Sequence, residues 1–174
     1  MILMNGFRID LPFGRSVVTL LAAHDLAPQS LIVELTESSA TANEVVMLGI
    51  LARLRLKGIG LAIDDYGTSY SGLERLSTIP FTILKIDMQF ISAMMSNANA
   101  RAIVESSIAL AKRLNMKTVA EGIENEGQLT LLKEMGCDYG QGYLIAPPME
   151  FEKLLDWIAT AYEADPSISA SLGL

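Results

Sequence analysis

Cysteine and histidine occur once each in this 174-residue chain, as Cys137 and His24. A single thiol closes no internal disulfide, and within Met135-Gly136-Cys137-Asp138 it reads as a small buried hydrophobe rather than a reactive group. His24 has no ligand-type neighbours before the turn at Asp25 to Pro28 and reads as an exposed helix-end residue. No run approaches the roughly 18 uninterrupted apolar residues of a membrane span. A basic, apolar leader with a small-residue cleavage site is also missing, so the cytoplasm is the expected compartment. Lysine and arginine are few, 13 against 20 acidic residues, which gives a formal charge of −7 and a pI near 4.7. A surface that grips a nucleic-acid polymer needs clustered cations, and that class is excluded. A small anionic ligand stays open if metal ions supply the positive field. Nor does any Gly-x-Gly-x-x-Gly turn follow a strand-like run, and Gly140-Gln141-Gly142 is too short to be a dinucleotide fingerprint.

What remains is an apolar chain, 51% hydrophobic, long enough to bury one sizeable core and too short for a second domain. Phe13, Val17, Leu20 and Leu21 recur at helical spacing and predict a helix from Pro12 to His24, stopped by Ala27-Pro28. Leu31 to Val33 reads as a short buried strand, Ala40 to Lys57 as a helix ending near Gly58, and Gly60 to Ile63 as the next strand. A short helix is expected at Leu73 to Leu76, then a strand at Phe81 to Ile86. Ala100 to Leu114 predicts a longer helix closed by Asn115, and Lys117 to Ala120 a fourth strand. A helix at Glu126 to Met135, a fifth strand at Tyr143-Leu144-Ile145 and a last helix opened by Pro147-Pro148 complete the pattern. A possible further strand lies at Ile2 to Met4. The tail from residue 164 to 174 has no pattern and reads as frayed, leaving 1–163 as the folded domain. Strict alternation of strand and helix calls for a parallel sheet with helices outside, as an open doubly wound sheet or as a (β/α) barrel.

Four of these strand-like runs end in ionisable residues: Glu34, the pair Asp64-Asp65, Lys85 and Glu121. That favours the barrel, because its carboxyl-end face collects groups from many strands. Any one such acid is ordinarily a helix cap or a loop charge. Four strands with the same arrangement are not ordinary. Two adjacent carboxylates repel unless a cation sits between them, and oxygen ligands of this kind suit Mg²⁺, Mn²⁺ or Ca²⁺. Two ions bridged by one carboxylate, with a nearby ammonium, suit phosphoester hydrolysis. Metal-assisted proton abstraction with Lys85 as the base is a second chemistry open to the same set. Glu37 is either a cap or a brace for the neighbouring loop. Asp87 pairs with Lys85 or serves a turn, and Gln141 is a turn residue or a pocket group.

Taken together, Glu34-Leu35-Thr36-Glu37, Asp64-Asp65-Tyr66-Gly67-Thr68, Leu84-Lys85-Ile86-Asp87, Ala120-Glu121-Gly122-Ile123-Glu124 and Gly140-Gln141-Gly142-Tyr143 resemble, in order and spacing, the EAL family of bacterial cyclic-di-GMP phosphodiesterases. The resemblance covers roughly residues 12 to 158. It implies a modified TIM barrel that hydrolyses cyclic-di-GMP to pGpG with Mg²⁺ or Mn²⁺. On this reading Glu34 and Asp64 hold one metal, and Asp64 bridges to a second held by Asp65 and Glu121. Lys85 orients water or phosphate, Gln141 and Glu124 lie in the pocket with Asp87, and Glu37 steadies the loop after the Asp pair. In a one-metal version Glu121 is the general base instead.

The chain departs from the family in lacking the Glu-Ala-Leu motif, whose glutamate is a metal ligand, and the arginine that follows it. The family's asparagine ligand would fall near Ile2, whereas the nearest asparagine is Asn5. The loop reads Thr68-Ser69-Tyr70-Ser71-Gly72 where the family has Thr-Gly-Tyr-Ser-Ser. A full barrel needs about 250 residues, so the expectation is an incomplete barrel with five or six of eight strands. Its open edge would be covered by self-association or by a missing amino-terminal segment. The resemblance therefore implies a cyclic-di-GMP phosphodiesterase domain that is weak or inactive in this truncated form. The alternative is a non-catalytic module that binds cyclic-di-GMP or a protein partner.

Overall fold

The computed structural model of the chain describes residues 11–36, 44–68 and 72–164. Its five strands are β1 (Ile32–Thr36), β2 (Gly60–Tyr66), β3 (Ile83–Ile86), β4 (Lys117–Ala120) and β5 (Tyr139–Gly140), in the order β1-β2-β3-β4-β5. Every neighbouring pair is parallel. Parallel neighbours need crossovers, and helices supply them: α2 (Glu44–Leu56), α3 (Gly72–Thr78), α4 (Met88–Ala93) with α5 (Ala98–Arg113), and α6 (Glu126–Met135), while α1 (Leu11–Ala23) precedes β1 and α7 (Phe151–Ala164) follows β5. A 3₁₀ turn at Pro28–Ser30 leads from α1 into β1. The sheet stays open, with β1 and β5 at its edges. This is a segment of a TIM-type (β/α) barrel.

Strand alternation sets the two faces. Val33 pairs with Leu61 and Leu35 with Ile63, while Ile63 pairs with Leu84 and Leu84 with Thr118. These residues are buried and share one core cluster with Leu51 and Leu54 of α2 and Val104 and Ile108 of α5, apart from the buried polar Thr118. The opposite face carries Glu34 level with Ala62, then Ile83, Lys85 and Val119. Burying a Leu or Ile side chain contributes about 1.5–3 kcal/mol, so the helix-side face holds the sheet together and frees the other face for polar groups.

Local signals mark the helix ends. Asn125 caps α6 in a reciprocal box with Gln128, and Gly136 closes it in the left-handed region at φ 79°. Asn115, expected at the end of α5, is left-handed at φ 54°. His24 is exposed just past α1, as expected.

Three expectations need correction. Tyr143-Leu144-Ile145 is not a strand: Ile145 and Ala146 amides bond back to the Gly142 carbonyl, and the fifth strand is Tyr139–Gly140. The apolar triplet instead reflects Leu144 packing on the core from a turn. The last helix begins at Phe151, after the prolines and not at them. Helix α4 was not anticipated, although the Asp87 carboxylate accepts from the Gln89 amide at 2.7 Å and caps it. The expected strand at Ile2 to Met4, Asn5, Glu37, Ser69 and the tail 165–174 lie outside the described residues. No helix among the described residues is long and apolar enough to cross a membrane.

Candidate active site

Lys85 is the hub. It is 3% exposed, and its Nζ donates to Glu34 Oε2 at 2.8 Å and to Asp64 Oδ1 at 2.7 Å and lies 2.7 Å from Glu121 Oε1. Register makes this possible, since Glu34, Asp64, Lys85 and Glu121 all fall on the face opposite the helices. Three carboxylates thus share one ammonium. Burial opposes the charge on Lys85, but the hydrogen bonds to Asp64, Glu121 and Glu34 outweigh it and hold the pKa above the ordinary lysine range. A lysine held charged in this way is not a base, so proton abstraction by Lys85 is disfavoured.

In a regular strand Asp65 would point away from Asp64. It does not, because the ladder to β3 slips between Ile63 and Tyr66: Ile63 pairs with Leu84 and Tyr66 with Ile86, leaving both aspartates opposite Lys85. Asp65 takes the left-handed conformation at φ 54°, which Asp and Asn tolerate better than other residues with a β-carbon. The bulge thus aims two consecutive carboxylates at one space. Carboxylate oxygens of Asp64, Asp65 and Glu121 lie within 4.8 Å of one another.

The site carries more negative charge than Lys85 offsets. Burial first, then the charges of Asp64 and Asp87, push the Asp65 carboxyl above the ordinary aspartate range. Burial likewise raises Glu121, against the lowering effect of Lys85. Glu34 Oε1 is buried without a partner among the described residues, an expensive condition for a carboxylate oxygen. An orphaned oxygen, a tight trio of oxygen donors and two carboxyls held above their ordinary range all fit a divalent, oxygen-preferring cation.

The other candidates divide. Gln141 is exposed, and its Nε2 donates to Glu121 Oε1 at 2.8 Å. Asp87 does not pair with Lys85; it caps α4, and its charge helps to raise the Asp65 carboxyl. The Glu124 side chain is exposed. Glu37, the expected brace, lies outside the described residues. Cys137 is half-buried, and burial lifts its thiol above the usual range, in keeping with an inert role. Gln128 is a buried polar residue that motif reading passed over, although the Asn-x-x-Gln spacing of a capping box marked it.

A family model described as "EAL domain" matches residues 9–148. The chain is 43% identical over 144 residues to the bifunctional diguanylate cyclase/cyclic di-GMP phosphodiesterase MucR of Pseudomonas aeruginosa, covering 83% of this chain and 21% of that protein. It thus spans about a fifth of that relative's length. Among solved structures, the EAL domain of Mycobacterium smegmatis DcpA superposes with a TM-score of 0.82 at 33% identity, covering 87% of this chain and 68% of that one. The manganese/cyclic-di-GMP complex of Klebsiella pneumoniae BlrP1 gives a TM-score of 0.71 at 30% identity, covering 77% of this chain and 34% of the other.

Proposed function

The chain belongs to the EAL domain family, and from that premise we propose that it carries the greater share of a divalent-metal site that hydrolyses cyclic-di-GMP to pGpG. The observation that carries the reading is the bulge at Asp64-Asp65, which turns both carboxylates toward Glu121 within 4.8 Å. Relatives named as cyclic di-GMP phosphodiesterases and a neighbour solved with manganese and cyclic-di-GMP support it. Asp64, Asp65 and Glu121 would hold Mg²⁺ or Mn²⁺, with the free oxygen of Glu34 as a further donor. When bound, the metal supplies charge neutralisation, polarisation of a phosphate oxygen and a water of lowered pKa.

The chain's own groups do the rest. Lys85 holds Glu34, Asp64 and Glu121 around one ammonium and presents a fixed positive charge where negative charge develops on phosphate. Glu121, lifted by burial, accepts a proton more readily than an ordinary glutamate, as a general base in a one-metal pathway requires. Gln141 donates to the Glu121 carboxylate and fixes its direction. Turnover by this chain alone is proposed to be slow, because its sequence has no Glu-Ala-Leu segment to add the family's further carboxylate.

The test is incubation of the chain with cyclic-di-GMP and Mn²⁺, chromatography for pGpG, and parallel calorimetry for binding. Slow pGpG release abolished by Asp64→Ala supports the proposal. Binding with no turnover favours the non-catalytic module, and neither binding nor turnover refutes both readings.

A further inference from the structure

Gln128 is 3% exposed, and its side chain does more than cap α6. Its Oε1 accepts from the Glu124 amide at 2.8 Å and the Asn125 amide at 3.2 Å, which completes the cap. Its Nε2 leaves the cap and donates to the Ile91 carbonyl of α4 at 3.3 Å. That carbonyl lies near the end of a six-residue helix, where main-chain acceptors lack intrahelical donors. Helix capping alone does not call for this last bond.

The bond is the last of three contacts, two hydrogen bonds and one close approach, between the chain after β4 and the segment from Ile86 to Ile91. The Glu121 amide donates to the Ile86 carbonyl at 3.1 Å. Gly122 sits at φ 68° so close to Met88 that a β-carbon there would be 2.6 Å from the Met88 Cβ. Gln128 then ties the far end of the loop to Ile91. Residues 121 to 125 are thereby laid along α4, which Asp87 caps.

We propose that Gln128 is a positioning residue for Glu121, locking the loop that carries it to α4 so that its carboxylate is held at Asp64, Asp65 and Lys85. The inference rests on Glu121 acting as a metal ligand or base. Changing a partner that orients a ligand typically costs 10–100-fold in metal affinity.

The experiment compares Gln128→Met, Gln128→Glu and Asn125→Ala in the full chain by Mn²⁺ calorimetry, amide hydrogen exchange without metal, and thermal melting. Gln128→Glu keeps the acceptor for the cap and loses the donor to Ile91; Asn125→Ala weakens the cap and spares that donor. Both Gln128 variants are expected to bind Mn²⁺ on the order of tenfold more weakly and to lose exchange protection at Glu121, and Gln128→Met, which has no acceptor for the cap, also at Glu124 and Asn125. Asn125→Ala is expected to lower the melting temperature and keep Mn²⁺ affinity. Wild-type Mn²⁺ affinity and Glu121 protection in Gln128→Glu would overturn the inference, as would equal weakening of Mn²⁺ by Asn125→Ala. If Gln128→Met does not fold, Gln128→Glu decides. If the wild-type chain itself binds no Mn²⁺, the proposed function fails, and exchange at Glu121 alone still judges Gln128: retained protection overturns its role.

Discussion

Replacing Lys85 with methionine keeps the length of the side chain and removes the one cation that Glu34, Asp64 and Glu121 share at 2.7–2.8 Å. The lysine is 3% exposed and its partners are also buried or nearly so, so water does not take over its role. Breaking a buried ion pair by removing one partner costs about 3–5 kcal/mol. Three carboxylates left facing one another place Lys85→Met at the upper part of that range. With a urea m-value of about 2 kcal/mol/M, a loss of about 4 kcal/mol lowers the unfolding midpoint by about 2 M. The assay is urea unfolding at pH 7, first in EDTA and then in Mn²⁺. Because Mn²⁺ offers the missing positive charge, it should stabilise the variant by up to about 2.7 kcal/mol at a hundred times its dissociation constant, more than it stabilises the wild type. The raised Lys85 pKa fixes the pH range: its contribution is fully present below the ordinary lysine value and is lost only as pH rises through the folded-state value. Two results would refute the reasoning. One is a variant as stable as the wild type in EDTA; the other is a loss that Mn²⁺ leaves untouched.

Further predictions follow from the bulge and the loop. Glu121 and Asp65 are raised in the folded chain, so each binds its proton more tightly folded than unfolded. Their contribution therefore favours the metal-free fold as pH falls into the window between the folded and ordinary values, and is lost as pH rises through it. In EDTA the stability of wild type relative to Glu121→Gln should rise as pH falls toward the ordinary glutamate range, and a flat difference would sink this account. Asp65→Asn should keep the left-handed turn and leave the urea midpoint nearly unchanged while weakening Mn²⁺. Asp65→Val should cost about 1–2 kcal/mol more, and equal losses for the two would remove the case for a strained bulge. Gly122→Ala combines positive φ with a β-carbon 2.6 Å from Met88, and a loss of about 1–3 kcal/mol is expected, measured by thermal melting. An unchanged melt would show that the loop is free to move off α4.

Much of the fold was legible because its signals are local. Apolar runs ending at charges marked β1 to β4, and α6 spans Glu126–Met135 as expected. Helix α4 was hidden by brevity, since six residues show no periodicity and only Asp87 announces them. The strand expected at Tyr143-Leu144-Ile145 failed because an apolar triplet needs burial, and a turn packed on the core provides it as well as a strand does.

The site divides along the same line. Sequence by itself pointed to the candidate residues proposed to carry the chemistry, Glu34, Asp64, Asp65, Lys85, Glu121 and Gln141, because apolar runs that end in ionisable groups and the family's motifs name them in order. Tertiary structure alone decided how they meet. Only pairing against β3 makes Asp64 and Asp65 share one space, since a bulge is a mismatch between two strands and exists in neither alone. Only the closing of three strands around Lys85 turns that lysine into a fixed cation, and only the contact of Gln128 with Ile91 ties Glu121 to α4. A side chain's identity is local, but its charge state and its aim are set by neighbours far away in the chain.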